Sequence, residues 1–266
     1  MKTFLYGGHV HANGIRQHYL RYGGKGAPLV LIPGITSPAI TWGFVGERLG
    51  RDYDTYVLDV RGRGLSETGP DLDYSLDTYA KDASEFAAAL KLERYRLVGH
   101  SMGARIAARM GRTEGKRLDR VALIDPPLSG PGRRPYVKTL SFYLDAIREA
   151  REGRADVEAI RRTYPGWNEE QLRLRAEWLH TCDDTAIEKS LRGLNEEDIH
   201  GDIPKIVAPA LLMVAGKGGV IDDADIAEVK KLLPSILVRK LEGAGHMIPF
   251  DDFEGFFAAL DGFLAG

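Results

Sequence analysis

The chain has 266 residues, of which 44% are hydrophobic and 28% are charged, so it can bury a sizeable core as one large domain. Its 36 lysines and arginines nearly balance its 38 aspartates and glutamates, which leaves a net charge of −2. That balance provides no overall field to attract nucleic acid or an anionic membrane, and we expect neither as a partner.

Strand and helix patterns alternate through the first half of the chain. Asn13-Gly14 joins two β-rich runs and predicts an antiparallel hairpin at one edge of a sheet. The continuous apolar run at residues 28–33 is typical of a strand that is covered on both faces. Apolar positions from Leu76 to Leu90 recur with the spacing of one helix face. The predicted strands of this half are residues 3–11, 15–22, 28–33, 53–59, 94–98 and 118–125, and helices are predicted from about residues 41, 76 and 101.

His9 and His11 lie two residues apart on the first predicted strand and therefore share a face. A metal site there would need at least one further ligand, and none is evident nearby. We expect both to be surface or packed histidines, and we expect no metal.

The alternation stops after Asp125 and resumes near residue 209. Between them, helix-like segments at residues 136–151, 155–163, 169–181 and 185–193 are separated by proline and glycine. Strands at 209–215 and 236–241 and helices at 223–233 and 251–264 follow. This pattern predicts an α/β fold with a mostly parallel eight-stranded sheet and helices on both faces. The core comprises residues 1–126 and 201–266, and residues 127–200 form an inserted helical cap.

Gly99-His100-Ser101-Met102-Gly103 lies between a predicted buried strand and a predicted helix. A serine on so tight a turn has a strained backbone, and side chains at Gly99 and Gly103 would collide with neighbouring backbone. The stretch resembles the nucleophile elbow of the α/β-hydrolases, which implies that Ser101 is a nucleophile. His100 should point elsewhere, so we expect it to serve in packing.

A serine nucleophile needs a base that a carboxylate orients. His246 is the best base, because it lies in a glycine-rich loop directly after the last predicted strand. The family usually places the acid where this chain has Gly219. Asp125, at the end of the strand before the cap, is favoured as the acid, and Asp222, at a helix start, is the alternative.

The family's geometry also implies an oxyanion hole. The backbone N–H groups of Ile35 and Met102 match its two donors. Asp59 and the loop Arg61-Gly62-Arg63-Gly64 match a family pattern as well, and we expect them to fix the loop beside the site.

Four segments resemble a narrower family, the N-formylmaleamate deformylases of aerobic bacterial nicotinate breakdown. They are residues 12–24, 33–42, 125–134 and 174–182, in core and cap alike. The resemblance implies hydrolysis of N-formylmaleamate to maleamate and formate through a formyl-enzyme on Ser101. It also implies the triad Ser101, Asp125 and His246 and no metal or organic cofactor.

A substrate of this kind carries a carboxylate, so a buried cationic or hydrogen-bonding clamp is expected. The candidates for this clamp are Ser37, Trp42, Arg105, Arg133, Arg134 and His180. The partner implied is a small carboxylate-bearing molecule, and the composition suits a monomer or a homodimer equally.

One fold and one triad serve many substrates, so other functions stay open. A carboxylesterase, a carbon–carbon bond hydrolase or an aminopeptidase-like enzyme would carry the same triad and differ in substrate. A ligand-binding receptor on the same fold would show little turnover.

Cys182 is the only cysteine, which excludes an internal disulfide and suits a reducing compartment. The N-terminus has no long apolar core, and no stretch approaches the length needed to span a bilayer. We therefore expect a cytoplasmic protein with Cys182 buried in it.

Overall fold

The structure, a computed structural model, describes residues 2–266 and is built around one eight-stranded sheet. The strands are β1 (Phe4–Ala12), β2 (Ile15–Tyr22), β3 (Pro28–Ile32), β4 (Asp54–Leu58), β5 (Tyr95–His100), β6 (Leu118–Ile124), β7 (Ala210–Ala215) and β8 (Leu237–Leu241). Their order across the sheet is β1-β2-β4-β3-β5-β6-β7-β8. From β4 onward the neighbours are parallel, whereas β1 and β2 add an antiparallel edge. The predicted mostly parallel eight-stranded sheet is confirmed.

The antiparallel edge depends on the Asn13-Gly14 turn. Both residues have positive φ, 48° and 75°, as a two-residue hairpin turn requires. The register then pairs Ala12 with Ile15 across the turn.

Residues 2–266 form ten α-helices. They are α1 (Gly43–Leu49), α2 (Leu76–Ala89), α3 (Met102–Thr113), α4 (Leu140–Arg151), α5 (Val157–Thr163), α6 (Glu169–Trp178), α7 (Asp184–Glu196), α8 (Asp223–Leu232), α9 (Ile248–Asp251) and α10 (Phe253–Ala265). Single 3₁₀ turns occur at Ala39–Trp42, Gly115–Arg117, Leu179–Thr181 and Ile203–Lys205.

Both faces of the sheet are covered, as the continuous apolar run of β3 predicts. Val30 and Ile32 pack into the core that also contains the apolar faces of α2 and α3. Leu29 and Leu31 pack into a second core with α1 and α10. All four side chains are almost completely buried, and each such burial stabilises the fold by roughly 1.5–3 kcal/mol. The carboxyl ends of the parallel strands are thereby held at one edge of a rigid three-layer unit.

Helices α4 to α7 lie between β6 and β7, with no strand among residues 125–209. All four differ from the predicted bounds. Helix α5 begins at Val157 rather than at residue 155, and α7 covers Asp184–Glu196 rather than residues 185–193. Helix α4 begins at Leu140 rather than at residue 136, because the Thr139 side chain accepts the N–H of Phe142 and caps the helix there. Helix α6 ends at Trp178, and a 3₁₀ turn continues to Thr181.

The final predicted helix, residues 251–264, corresponds to α10, and a separate short helix, α9, precedes it. Asp252 has φ −144° and caps α10 through the N–H of Gly255, so the short helix α9 ends before it. The break at Asp252 therefore separates α10 from α9, the short helix that follows the loop carrying His246.

His9 and His11 are exposed, and no group of three or more metal-ligating side chains was found among residues 2–266. Within the same residues, no helix is both long and apolar enough to cross a membrane. Cys182 is fully buried, as predicted.

Candidate active site

Ser101 lies on the turn between β5 and α3. Its backbone has φ 55° and ψ −119°, a conformation that L-residues rarely adopt. A β-carbon at Gly99 would lie 2.2 Å from the carbonyl oxygen of Gly103, and one at Gly103 would lie 2.0 Å from that of Ile32. The turn therefore requires glycine at both positions, and it presents the Ser101 hydroxyl at the carboxyl end of the sheet.

The side chains of Ser101, His246 and Asp125 form one hydrogen-bonded chain. Ser101 Oγ lies 3.0 Å from His246 Nε2, and His246 Nδ1 lies 2.6 Å from Asp125 Oδ2. An ionised carboxylate only accepts hydrogen bonds, so Nδ1 carries the proton and Nε2 can accept the proton of Ser101. The geometry is that of a nucleophile with an oriented general base.

Asp125 is fully buried behind His246 and is fixed by the backbone. Its Oδ2 also accepts the N–H of Val220 at 3.2 Å, and its Oδ1 accepts that of Ala215 at 3.3 Å. Its own φ is 44°, which marks a second strained position at a strand end. Asp222, the alternative acid, instead caps α8 by accepting the N–H of Asp225 at 2.9 Å.

His100 supports the loop that carries His246. It is buried, and its Nε2 donates to the backbone carbonyl of His246 at 2.8 Å. Burial lowers the pKa of His100 to about 3, so the ring stays neutral. The ring also packs on Trp42, with centroids 5.0 Å apart. The predicted packing role is confirmed, and the same contacts hold the base in place.

The two residues predicted to supply the oxyanion donors, Ile35 and Met102, lie next to the elbow. Met102 is the first residue of α3, so its N–H has no acceptor within the helix. Ile35 follows Gly34 in the loop after β3, and Gly34 lies against the elbow, since a β-carbon there would be 3.3 Å from Cβ of Ser101. This arrangement suits the oxyanion hole that the sequence predicts.

Arg63 contacts both residues that are predicted to supply the oxyanion donors. Its guanidinium is buried and donates to the Ile35 carbonyl at 2.8 Å and to Ser190 Oγ at 2.8 Å, and it lies 3.8 Å from the Met102 sulfur. Asp59 fixes the neighbouring segment by accepting the N–H of Ala39 at 2.6 Å. The loop pattern at residues 59–64 is therefore structural, as predicted.

A cavity of about 380 Å³ opens in front of Ser101 and His246. The loop at residues 34–37 forms one side, and cap residues form most of the remainder. Trp167 provides an aromatic wall, stacked between Tyr164 and Phe250 with centroid distances of 4.2 Å on each side. The cavity has the size and the mixed polarity of a site for a small organic molecule.

Of the six side chains predicted to clamp a carboxylate, Ser37 alone lies among the residues that line this cavity. Trp42 is completely buried against His100, and His180 is exposed on the 3₁₀ turn after α6. Both predictions are wrong because the two rings lie outside the cavity wall.

The three arginines predicted for the clamp are also engaged elsewhere. Arg105 is buried and donates to the carbonyls of Pro127 and Ser129 at 2.8 and 2.9 Å. These bonds hold the chain just after β6. Burial lowers the pKa of Arg105 to about 10. Arg133 makes a bidentate pair with Glu228, and Arg134 pairs with Asp222 and Asp225. The three arginines therefore link the segment after β6 to α3 and α8, and none of them lines the cavity.

Sequence reasoning missed several cavity residues on the cap. Tyr136 and Tyr143 line the cavity with their hydroxyl oxygens 2.9 Å apart, and burial raises the pKa of both. Arg175, on α6, is buried and also lines the cavity. Its position between Leu172 and Leu179, on the buried face of the helix, is the signal that could have revealed it.

The fold, the elbow and the Ser–His–Asp geometry define an α/β-hydrolase. Residues 27–253 match the model of the family with the alpha/beta hydrolase fold, and the chain belongs to that family.

The chain is 59% identical to N-formylmaleamate deformylase of Pseudomonas putida, over 99% of this chain and 98% of the relative. The crystal structure of an N-formylmaleamic acid deformylase from Pseudomonas putida S16 superposes with a TM-score of 0.91 at 50% identity, covering 96% of this chain and 100% of that one. The 2-(acetamidomethylene)succinate hydrolase of Mesorhizobium japonicum is 27% identical over 86% of this chain and 84% of its own length.

Proposed function

We propose that this protein is a serine hydrolase that converts N-formylmaleamate and water to maleamate and formate. The main support for this substrate is the 59% identity to N-formylmaleamate deformylase over 99% of the chain. The aligned region includes the residues after β6 that line the cavity. The hydrogen-bonded Ser101, His246 and Asp125 support the chemistry. Nicotinate degradation is the context in which such a substrate arises.

Acylation begins at the Ser101 hydroxyl. His246 Nε2, 3.0 Å away, takes the hydroxyl proton as Oγ attacks the formyl carbon. The N–H groups of Ile35 and Met102 stabilise the oxyanion that forms on the formyl oxygen. Asp125 stabilises the imidazolium through the bond to Nδ1.

Collapse of this intermediate breaks the bond between the formyl carbon and nitrogen. The departing nitrogen is flanked by the second carbonyl, so it bears negative charge better than that of an ordinary amine. The imidazolium of His246 protonates it, maleamate leaves, and formyl-Ser101 remains. Water then gives a proton to His246 and attacks the formyl carbon, which releases formic acid, ionised to formate at neutral pH, and restores the serine.

The test is to measure formate and maleamate released from N-formylmaleamate by the purified protein and by a Ser101→Ala variant, with p-nitrophenyl acetate as a generic ester. We expect equimolar formate and maleamate from the wild type, and a loss of at least about 10⁴-fold in the variant, since the residual rate comes from binding and the oxyanion hole. Formamide and maleate as products, or cleavage of the ester alone, would refute the proposal. The ester result would direct the search to the carboxylesterase and other hydrolase alternatives.

We further propose that residues 127–200 form a separable cap on a core of residues 1–126 and 201–266. The protein would act in the cytoplasm, without a cofactor, as a monomer or homodimer on a small carboxylate-bearing molecule. Light scattering of the purified protein distinguishes the two oligomeric states, and a larger assembly would contradict both.

A further inference from the structure

The cavity contains one buried cation whose hydrogen-bonding capacity is only partly used. Arg175 is 8% exposed and lies on α6, on the helix face that also buries Leu172. Its Nη1 and Nη2 donate to the carbonyl and to the hydroxyl of Thr36. A guanidinium has five N–H donors, so three remain, and the buried Nε has no partner among residues 2–266.

Among residues 2–266, this guanidinium donates to neutral oxygens. No carboxylate of the described residues lies within ion-pair distance of it, whereas Arg173, two positions earlier on α6, is exposed and paired with Glu177 at 2.8 Å. Burying a cation without an anion costs several kcal/mol. A bound carboxylate would remove most of that cost and would take up the free donors.

Arg105, by contrast, satisfies its buried guanidinium with the carbonyls of Pro127, Ser129 and Glu197 and does not line the cavity. Lys138 does line the cavity, but it is exposed, so water screens its charge. Arg175 is thus the cation with both burial and unused donors.

The position of Arg175 also suits the reaction. Thr36, which it holds, directly follows Ile35 in the loop that provides an oxyanion donor, and Ser101 lines the same cavity. N-formylmaleamate carries its formyl group and its carboxylate at opposite ends of a short conjugated chain. An anion held by Arg175 would fix one end of the substrate while the other end lies at Ser101.

We propose that Arg175 is the specificity-determining anchor for the substrate carboxylate, bound through Nε and one Nη. This rests on the proposed function for the identity of the substrate. Charge-assisted bonds to a planar fork are among the strongest contacts available to a carboxylate, and a buried site strengthens them further.

The experiment compares Arg175→Gln and Arg175→Lys with Arg173→Gln, a matched control on the exposed face of the same helix. Steady-state constants are measured with N-formylmaleamate and with uncharged p-nitrophenyl acetate. We expect Arg175→Gln to lower kcat/KM for N-formylmaleamate about 100-fold more than it lowers kcat/KM for the ester. The loss on the uncharged ester measures the effect of removing the two bonds to Thr36. Lysine keeps the charge but loses the fork, so Arg175→Lys should lose about tenfold. Arg173→Gln should match the wild type.

A second measurement does not depend on turnover of N-formylmaleamate. Maleamate and its uncharged analogue maleamide are tested as inhibitors of ester hydrolysis. We expect maleamate to inhibit the wild type more strongly than maleamide, and this preference to disappear in Arg175→Gln.

Equal losses on both substrates in Arg175→Gln would overturn the proposal, because they would mean that Arg175 serves to hold the Thr36 loop. An unchanged preference for maleamate in that variant would also overturn it. If the wild type does not deformylate N-formylmaleamate but maleamate inhibits through Arg175, the proposed function fails while the anchor stands.

Discussion

Replacing Asp125 by asparagine tests the assignment of the acid most directly. The three groups that contact the carboxylate are all donors: His246 Nδ1 and the N–H of Val220 on Oδ2, and the N–H of Ala215 on Oδ1. Asparagine has one oxygen and one NH₂ group, so one of these donors must face another donor. If the NH₂ faces His246, the imidazole is forced into the tautomer with the proton on Nε2, which cannot accept the proton of Ser101.

If the NH₂ faces Ala215 instead, the buried N–H there loses its acceptor, at a cost of about 1–3 kcal/mol in stability. The imidazolium would then face a neutral oxygen at a site 2.6 Å away that is fully buried in the wild type. Asp-to-Asn changes in Ser–His–Asp triads lower kcat about 10⁴-fold, equivalent to about 5 kcal/mol of transition-state stabilisation. We expect a loss of that order, with KM little changed because Asp125 does not line the cavity.

The assay is steady-state formate release by Asp125→Asn beside Asp222→Asn, with circular dichroism to establish that both variants are folded. Asparagine caps helices about as well as aspartate, so Asp222→Asn should retain the stability and the kcat of the wild type. A folded Asp125→Asn with a kcat within tenfold of the wild type would refute the assignment. A large loss of kcat in Asp222→Asn would indicate that the acid comes from the loop before α8.

Three further predictions concern the packing behind the site. Gly103→Ala would place a β-carbon 2.0 Å from a carbonyl oxygen and should cost about 3 kcal/mol or more in unfolding free energy. In Gly262→Ala, the β-carbon would meet no atom within 4 Å beyond its chain neighbours and the backbone of α10, so this variant should gain up to about 1 kcal/mol. Urea unfolding measures both free energies. The unfolded chain protonates His100 near pH 6.5, but burial lowers its folded pKa to about 3. Wild-type stability should therefore fall between pH 6.5 and 5 by about 1.5 kcal/mol more than that of His100→Gln. An equal fall in both proteins would contradict that burial effect. Arg63→Met should lower kcat at least about tenfold with a smaller change in KM, since the lost bond to the carbonyl of Ile35 orients an oxyanion donor; a change confined to KM would contradict this role.

The elbow and the triad were predictable because local sequence determines them. Only glycine fits at positions 99 and 103 of the turn. Because a strand precedes this turn and a helix follows it, Ser101 lies at the carboxyl end of the sheet. His246 follows the last strand and Asp125 directly follows β6, so parallel topology brings both to the same edge of the sheet. Few strand orders in a parallel sheet would place His246 far from Asp125.

The carboxylate clamp was not predictable in this way, because tertiary packing of the cap decides which arginine faces the cavity. Arg133 and Arg134 follow the strand end closely in sequence, yet acidic side chains of α8 and its N-terminal cap neutralise them. Arg175 contacts Thr36 across 139 positions of sequence. Its place on the buried face of α6 was visible in the helical spacing, but the cavity on which that face opens was not.

Gly219 shows why the acid occupies its less usual place. A β-carbon there would lie 3.1 Å from both carboxylate oxygens of Asp125 and 2.8 Å from Cβ of Ala215. The space between the ends of β6 and β7 therefore holds only one carboxylate. Two acids in that space would repel, and the pKa of one would rise until it no longer served as an anion. Glycine at position 219 therefore leaves the space that the Asp125 carboxylate occupies. The loop after β7 still takes part, because its Val220 N–H binds the carboxylate that β6 supplies.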